Sequence, residues 1–304
     1  MVKGISWRTF LYINIDHNIE NTVFLAGTGR AGTTWLSDLI NYDNYYRYMF
    51  EPFFPQYVKS CRGFRVRQYI RPDNKDKYFI QTTKRVLSGS IRNVWIDMFN
   101  KKIICRGRLI KDIRANLFLK WMHNNFPSVP IVFTLRHPCP VAHSRTKLNW
   151  GDNLDELITQ RELVDDFLSE HVEDIRNCKS QFERYIYLWC IENYVPLKQF
   201  AAGEMYILFY ENLCCKPEEE IKKLFQWLRK PFRDEIMRKV RVPSKMSQNY
   251  SAVVTGEGLV DKWKKHITPE QIDSAVKILS KFGLDRIYDS GPMPKTNDPL
   301  SLFQ

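Results

Sequence analysis

The sequence predicts an α/β fold: one domain built on a central parallel sheet, with helices on both faces. Three observations carry that reading. Short apolar runs alternate with stretches of helical periodicity, the pattern of βαβ units. The first such run passes directly into a glycine-rich turn and then a helix. Across all 304 residues no stretch rich in proline, glycine or serine divides the pattern. A chain of this length buries a core of its own, so residues 1–304 are taken as one domain.

Residues 22–26 (Thr-Val-Phe-Leu-Ala) read as the first strand, and 32–40 as the helix behind it. A second short strand is expected to end near Glu51, followed by a long helix over 77–99. Residues 108–111 form the next strand, with a helix over about 115–123. Ile131 to Leu135 is the clearest buried strand, and a helix starts at Pro138. A long helix is expected over 179–200, then a strand over 205–209. Residues 216–228 follow as a helix whose Ile221, Leu224, Phe225 and Leu228 form one apolar stripe. After Gly283 the chain carries Pro292, Pro294 and Pro299, and 285–304 is expected to be an irregular tail.

Composition narrows the function classes. Lysine and arginine number 46 against 34 acidic residues, a net charge of +12, which favours an anionic partner: nucleic acid, nucleotide, acidic lipid or acidic glycan. The charge is uneven, basic over 59–114 and acidic over 149–174, which argues against a nucleic-acid sheath. No apolar run approaches the ~20 residues that span a bilayer. Residues 1–15 lack a signal-peptide core, so a cytoplasmic location is expected. Seven cysteines include no Cys-x-x-Cys, and the odd total suits a reducing compartment. Neither they nor the six histidines show metal-ligand spacing, so no metal is expected.

The first strand runs into Gly27-Thr-Gly-Arg-Ala-Gly-Thr-Thr34. A glycine turn at a helix N-terminus offers backbone N–H groups and the positive end of the helix dipole to a phosphate. Gly27 and Gly32 have Walker A spacing, but Thr33 stands where that loop has its lysine, and the cation is Arg30. An ordinary strand-turn-helix is the plain alternative. A second candidate follows Leu135: Arg136, with Ser144 eight residues on, could clamp another phosphate.

Gly29-Arg-Ala-Gly-Thr-Thr-Trp-Leu36 resembles the 5′-phosphosulfate loop of sulfotransferases that use 3′-phosphoadenosine 5′-phosphosulfate (PAPS). Leu-Arg136-x-Pro-x-x-x-x-x-Ser144 resembles the 3′-phosphate motif of the same family. The resemblance implies a P-loop nucleotide-kinase-like fold with its nucleotide core over about 20–270. It also implies sulfuryl transfer from PAPS to a hydroxyl acceptor, releasing 3′-phosphoadenosine 5′-phosphate (PAP). Arg30, Ala31, Gly32, Thr33, Thr34 and Trp35 would hold the 5′ end, and Arg136 and Ser144 the 3′-phosphate, remote from the reacting sulfur. Leu208-Phe-Tyr-Glu-Asn-Leu213 is similar to the family's Tyr-Glu-x-Leu segment, which puts Tyr210 near the nucleotide. Gly256 to Lys265 resembles the closing Lys/Trp segment, with Lys262 as its cation. Thr255-Gly256-Glu257 replaces the Arg-Lys-Gly of cytosolic members, so those contacts do not carry over.

In-line transfer needs a base on the acceptor and cations on the leaving oxygen. Arg30 and Lys111 are the candidate cations. The segment around Lys111 resembles the Lys-Thr-His stretch of cytosolic members, but Ile113 fills the histidine position. The tyrosylprotein and glycan branch uses a glutamate after the first helix, and Glu51 stands in a comparable place. Its aromatic setting is expected to raise its pKa, with Asp112 as the alternative base. His137 and His143 are expected to bind or cap. Acceptor specificity is expected in 53–78 and 152–174, and the acceptor is left as a carbohydrate, glycoconjugate or small alcohol. A homo-oligomer stays possible. The competing functions are a P-loop kinase and a non-enzymatic anion-binding module.

Overall fold

The computed structural model describes residues 11–240, 242 and 260–303. Its strands are β1 (Ile13–Asn14), β2 (Thr22–Gly27), β3 (Tyr46–Phe50), β4 (Ile104–Cys105), β5 (Gly107–Asp112), β6 (Ile131–Leu135) and β7 (Tyr206–Phe209). Five of them form a parallel sheet in the order β3-β5-β2-β6-β7. β1 and β4 make a separate two-stranded pair, which the sequence pattern did not reveal.

The strands are buried on both sides because helices cover both faces, as parallel sheets require. Alternation then sorts the side chains. Phe24, Ala26, Met49, Ile110, Phe133 and Phe209 face one core, shared with the Gln181–Gln199 helix and the Pro138–Lys147 helix. Val23, Leu25, Tyr48, Leu109, Val132 and Leu208 face the other, under Thr33–Ile40 and Pro217–Trp227.

β2 pairs with β5 up to Ala26 opposite Asp112, and with β6 up to Gly27 opposite Thr134. β3 pairs with β5 up to Phe50 opposite Lys111. The C-terminal ends of four strands therefore lie at one level. The chain moves from β2 to one side and later returns to the other, so β2 marks the topological switch where open α/β sheets bind ligands.

Two expected helices differ. The segment 77–99 is a helix only over Lys77–Leu87, then turns at Gly89 (φ +68°) before the short helix Val94–Asp97. The cause is Arg47. Its buried guanidinium donates to Gly89 O at 2.6 Å, Ile91 O at 2.7 Å and Asp97 Oδ1 at 2.9 Å. Carbonyls that a continuous helix would use internally are pulled onto the sheet edge. The segment 115–123 begins as the 3₁₀ turn Asn116–Phe118 and becomes α-helical over Leu119–Asn125. The tail is packed: Ile287, Tyr288 and Leu302 are buried, and Pro299–Leu302 forms a 3₁₀ turn.

Arg47→Met should leave Asp97 buried without its cation. Losing one partner of a buried pair costs about 3–5 kcal/mol, read as a lower midpoint in denaturant unfolding. An unfolding free energy unchanged within error would show that the Gly89 turn does not depend on Arg47.

Candidate active site

The glycine turn does what the residues predict. Ala31 N donates to Thr28 O at 2.9 Å, and Gly32 caps the following helix at φ +85°. That left-handed conformation suits glycine, and a Cβ there would overlap the Tyr210 ring. Gly29 is closed in differently, since a Cβ would lie 3.0 Å from Ile113 and from Trp150. Ile113, which stands where cytosolic members have histidine, thus lies against the loop and offers no proton acceptor.

The two anion motifs meet. Arg30 Nε donates to Ser144 Oγ at 2.9 Å, and Arg136 Nη1 donates to the Arg30 carbonyl at 2.8 Å. The Arg136 guanidinium thus touches the loop backbone. It also stacks over Tyr210 at 4.1 Å, and Tyr210 meets Trp35 edge-on at 5.9 Å. Arg136 Nε and Trp35 Nε1 are buried with no hydrogen-bond partner among the described residues. Unpaired donors in a cleft of cations fit an anionic, hydrogen-bond-accepting ligand. Thr33 is buried and Thr34 half-buried at the start of the helix.

His137 caps, as expected: its Nδ1 accepts from Cys139 N at 3.2 Å. Its ring also stacks on Trp263 at 4.6 Å, and burial pushes its pKa down to about 4. That contact docks the Lys262–Lys265 turn beside the Arg136 strand end, with Lys262 half-buried. Residues 255–257, where the Arg-Lys-Gly contacts would lie, fall outside the described residues.

Glu51 follows β3 at the same C-terminal edge of the sheet. Lys111 Nζ lies 2.5 Å from its Oε1, and Arg114 pairs with Oε2. The expected rise in its pKa is overturned. Burial does push it up, but the two cations outweigh burial and hold the carboxyl below its usual value. Glu51 sits at φ +43°, Arg30 at +80° and Arg67 at +57°. Such strain in non-glycine residues concentrates at functional sites. Asp112 is fully buried, and its two oxygens accept from Phe53 N at 2.9 Å and Arg114 N at 2.8 Å. Burial, together with the Glu51 charge, pushes its pKa up to about 6. Through these two backbone contacts it shapes the turn around Glu51.

The two segments expected to govern acceptor choice are stitched together. Tyr69 N donates to Gln160 Oε1 at 2.8 Å, and Arg71 binds Asp166 at 2.7 Å. Sequence reasoning missed a cavity of about 170 Å³ beside Thr34, lined by Ser37, Tyr48, Phe99, Lys101 and Lys239. No motif marks it, because its walls come from four separate stretches. Among the described residues no group of His, Cys, Asp and Glu could hold a metal ion, and no helix is long and apolar enough to cross a membrane.

A family model described as "Sulfotransferase family" matches residues 22–234, more than two thirds of the chain. The protein belongs to the sulfotransferase family. Sulfotransferase STF9 from Mycobacterium avium shares the fold at 11% identity and TM-score 0.51, covering 91% of this chain and 79% of that one. The sulfotransferase domain of the curacin biosynthetic pathway matches at 14% identity and TM-score 0.48, over 85% and 96%. Mouse sulfotransferase SULT7A1 complexed with PAP matches at 12% and 0.44, over 86% and 84%. No curated protein matches the chain by sequence.

Two outcomes follow from this geometry. Gly32→Ala should cost at least about 1 kcal/mol from its φ alone, seen in thermal unfolding, and more from displacing Tyr210. The lowered Glu51 pKa means that the folded state gives up this proton more readily than the unfolded chain. Its ion pairs therefore stabilise fully above the unfolded value of ~4.3, and this support is lost as pH falls through the lower folded value. Urea unfolding should show wild type and Glu51→Gln far apart at pH 7 and converging toward pH 3. A constant gap across that range would contradict the sign.

Proposed function

We propose that the protein moves a sulfuryl group from PAPS to an acceptor hydroxyl, on a carbohydrate, glycoconjugate or small alcohol, and releases PAP. The observation that carries this reading is the meeting of Arg30, Ser144 and Arg136 in one cleft, in a chain of the sulfotransferase family. A donor with phosphates at two ends needs two anchored cations beside a loop of free amides. Arg30, Thr33, Thr34 and the amides at the start of the Thr33–Ile40 helix take the 5′ end in this reading. Arg136 and Ser144 take the 3′-phosphate, Trp35 and Tyr210 flank the nucleotide, and Lys262 closes from the C-terminal side. These cations supply the charge that a kinase draws from its loop lysine and magnesium.

Glu51 acts as the base. Held ionised by Lys111 and Arg114, it is a weaker base than its aromatic setting suggested but is fully deprotonated at neutral pH. Its Oε2 is the side toward solvent, since the Arg114 side chain is 17% exposed against 4% for Lys111. The acceptor hydroxyl replaces Arg114 there and passes its proton to Glu51 while its oxygen attacks sulfur. Lys111 then faces the charge left on the bridging oxygen.

Calorimetry against PAP and AMP tests the donor. The 3′-phosphate contacts are worth about 1.5–3 kcal/mol, so PAP should bind at least tenfold more tightly, with no magnesium. Equal affinity would sink the two-phosphate reading, and strict magnesium dependence would favour the kinase. Glu51→Gln should lower kcat by about 10²–10⁴-fold while PAP affinity holds. An Asp112→Asn enzyme inactive beside a near-normal Glu51→Gln enzyme would move the base to Asp112.

A further inference from the structure

Behind the loop lies a buried ionic chain that no motif contains. Glu192, in the middle of the Gln181–Gln199 helix, is fully buried and grips two arginines. Arg67 Nε lies 2.5 Å from its Oε1, and Arg145 Nη2 lies 2.9 Å from its Oε2. The Arg67 and Arg145 side chains are 8% and 1% exposed. Arg145, the residue after Ser144, turns its Nε onto the Gly29 carbonyl at 3.3 Å, one residue before Arg30. Its Nη1 is buried with no hydrogen-bond partner among the described residues. The next helix residue, Asn193, donates to Thr28 Oγ1 at 3.0 Å. At the far end, Arg67 Nη1 donates to Asn153 Oδ1 at 3.1 Å, and Gln160 Nε2 donates to the Arg67 carbonyl at 3.0 Å.

Two guanidiniums and one carboxylate leave a net charge of +1 in the buried part of the chain. Asn153 at the outer end is neutral, and beyond it, among the described residues, only the solvent-exposed Glu156 accepts from Asn153 Nδ2, at 3.2 Å. A buried charge without a counter-ion is costly. A fold keeps one where something supplies the missing charge, and here the chain ends on the backbone of the phosphate loop. We propose that the Arg67–Glu192–Arg145 chain is a positioning device for the donor loop whose excess positive charge is neutralised by the anionic end of the bound donor. The inference rests on the donor reading above and adds three residues to it. Arg67 and Arg145 contribute field and Glu192 holds them, without contact with the donor. The same chain ties the acceptor-side segment carrying Arg67 to the loop that receives the donor.

Charge and packing can be separated by substitution. Asn153→Asp keeps the oxygen that Arg67 binds, tolerates the left-handed backbone at 153 (φ +58°), and adds one negative charge at the end of the chain. Isothermal calorimetry with PAP should show binding weakened on the order of three- to tenfold, the size of one charge acting over ~10 Å at an intermediate dielectric. The loss should shrink with added salt, and the melting temperature should fall only modestly, because the new carboxylate meets the exposed Glu156. Asn153→Ser, which changes the contact without charge, should bind PAP as wild type does. Glu192→Gln shifts the charge the other way, so PAP affinity should hold or rise even as stability falls. Unchanged PAP affinity in Asn153→Asp, or a loss in Glu192→Gln equal to that of Asn153→Asp, would overturn the proposal while leaving the donor intact. Wild-type protein that binds no PAP overturns the donor reading and this inference together. If Glu192→Gln does not fold, the aspartate and serine variants at 153 decide the matter alone.

Discussion

The pairing of β2 with β5 on one side and β6 on the other decides where each charged group of the cleft stands. Ala26 lies opposite Asp112, Gly27 opposite Thr134 and Phe50 opposite Lys111. The next residues along these strands are Glu51, the turn at Ile113 and the phosphate loop, with Arg136 just past the end of β6. A slip of one residue in any pairing would turn side chains to the opposite face of the sheet and remove Lys111 from Glu51. Backbone hydrogen bonds in a dry sheet hold that register, so the ionic contacts inherit their geometry from it.

Charge is then arranged in pairs with a surplus. Glu51 faces two cations, and Glu192 faces two more. Each carboxylate is kept ionised, because in both clusters two cations outweigh the burial that would protonate it. The aromatic neighbours of Glu51 act less on its protonation than on the cations around it. Phe50 lies under Lys111 at 4.6 Å, and Phe54 under Arg114 at 3.7 Å. These faces fix the cations in place and keep water away from them.

What could be read from the sequence is what depends on neighbours along the chain. The strands 22–26, 131–135 and 205–209 are short, mostly apolar runs, 108–111 carries Leu109 and Ile110 between two cations, and the loop after the first strand carries its own glycine signal. The break at Gly89 was not legible because its cause, Arg47, lies over forty residues away. The same distance hid the pairing of Glu51 with Lys111, sixty residues apart, and so gave its pKa the wrong sign. Arg67 and Glu192 stand 125 residues apart, and neither sits in any motif. Local pattern specifies elements, whereas buried ion pairs join elements that only the folded topology brings together.

Arg30, Glu51 and Arg67 share the left-handed backbone conformation in which glycine or asparagine would be more relaxed. At 51 and 67 that backbone cost is set against buried ion pairs with Lys111, Arg114 and Glu192. A change to Gly or Asn at 51 or 67 would relax one backbone torsion but leave the buried Lys111 without its carboxylate, or Glu192 with one arginine fewer, so a library of variants ranked by thermal resistance would keep the charge at both. Stability-guided engineering of this protein therefore meets a backbone cost and an ionic gain at the same residues, and the two have to be weighed together at each position.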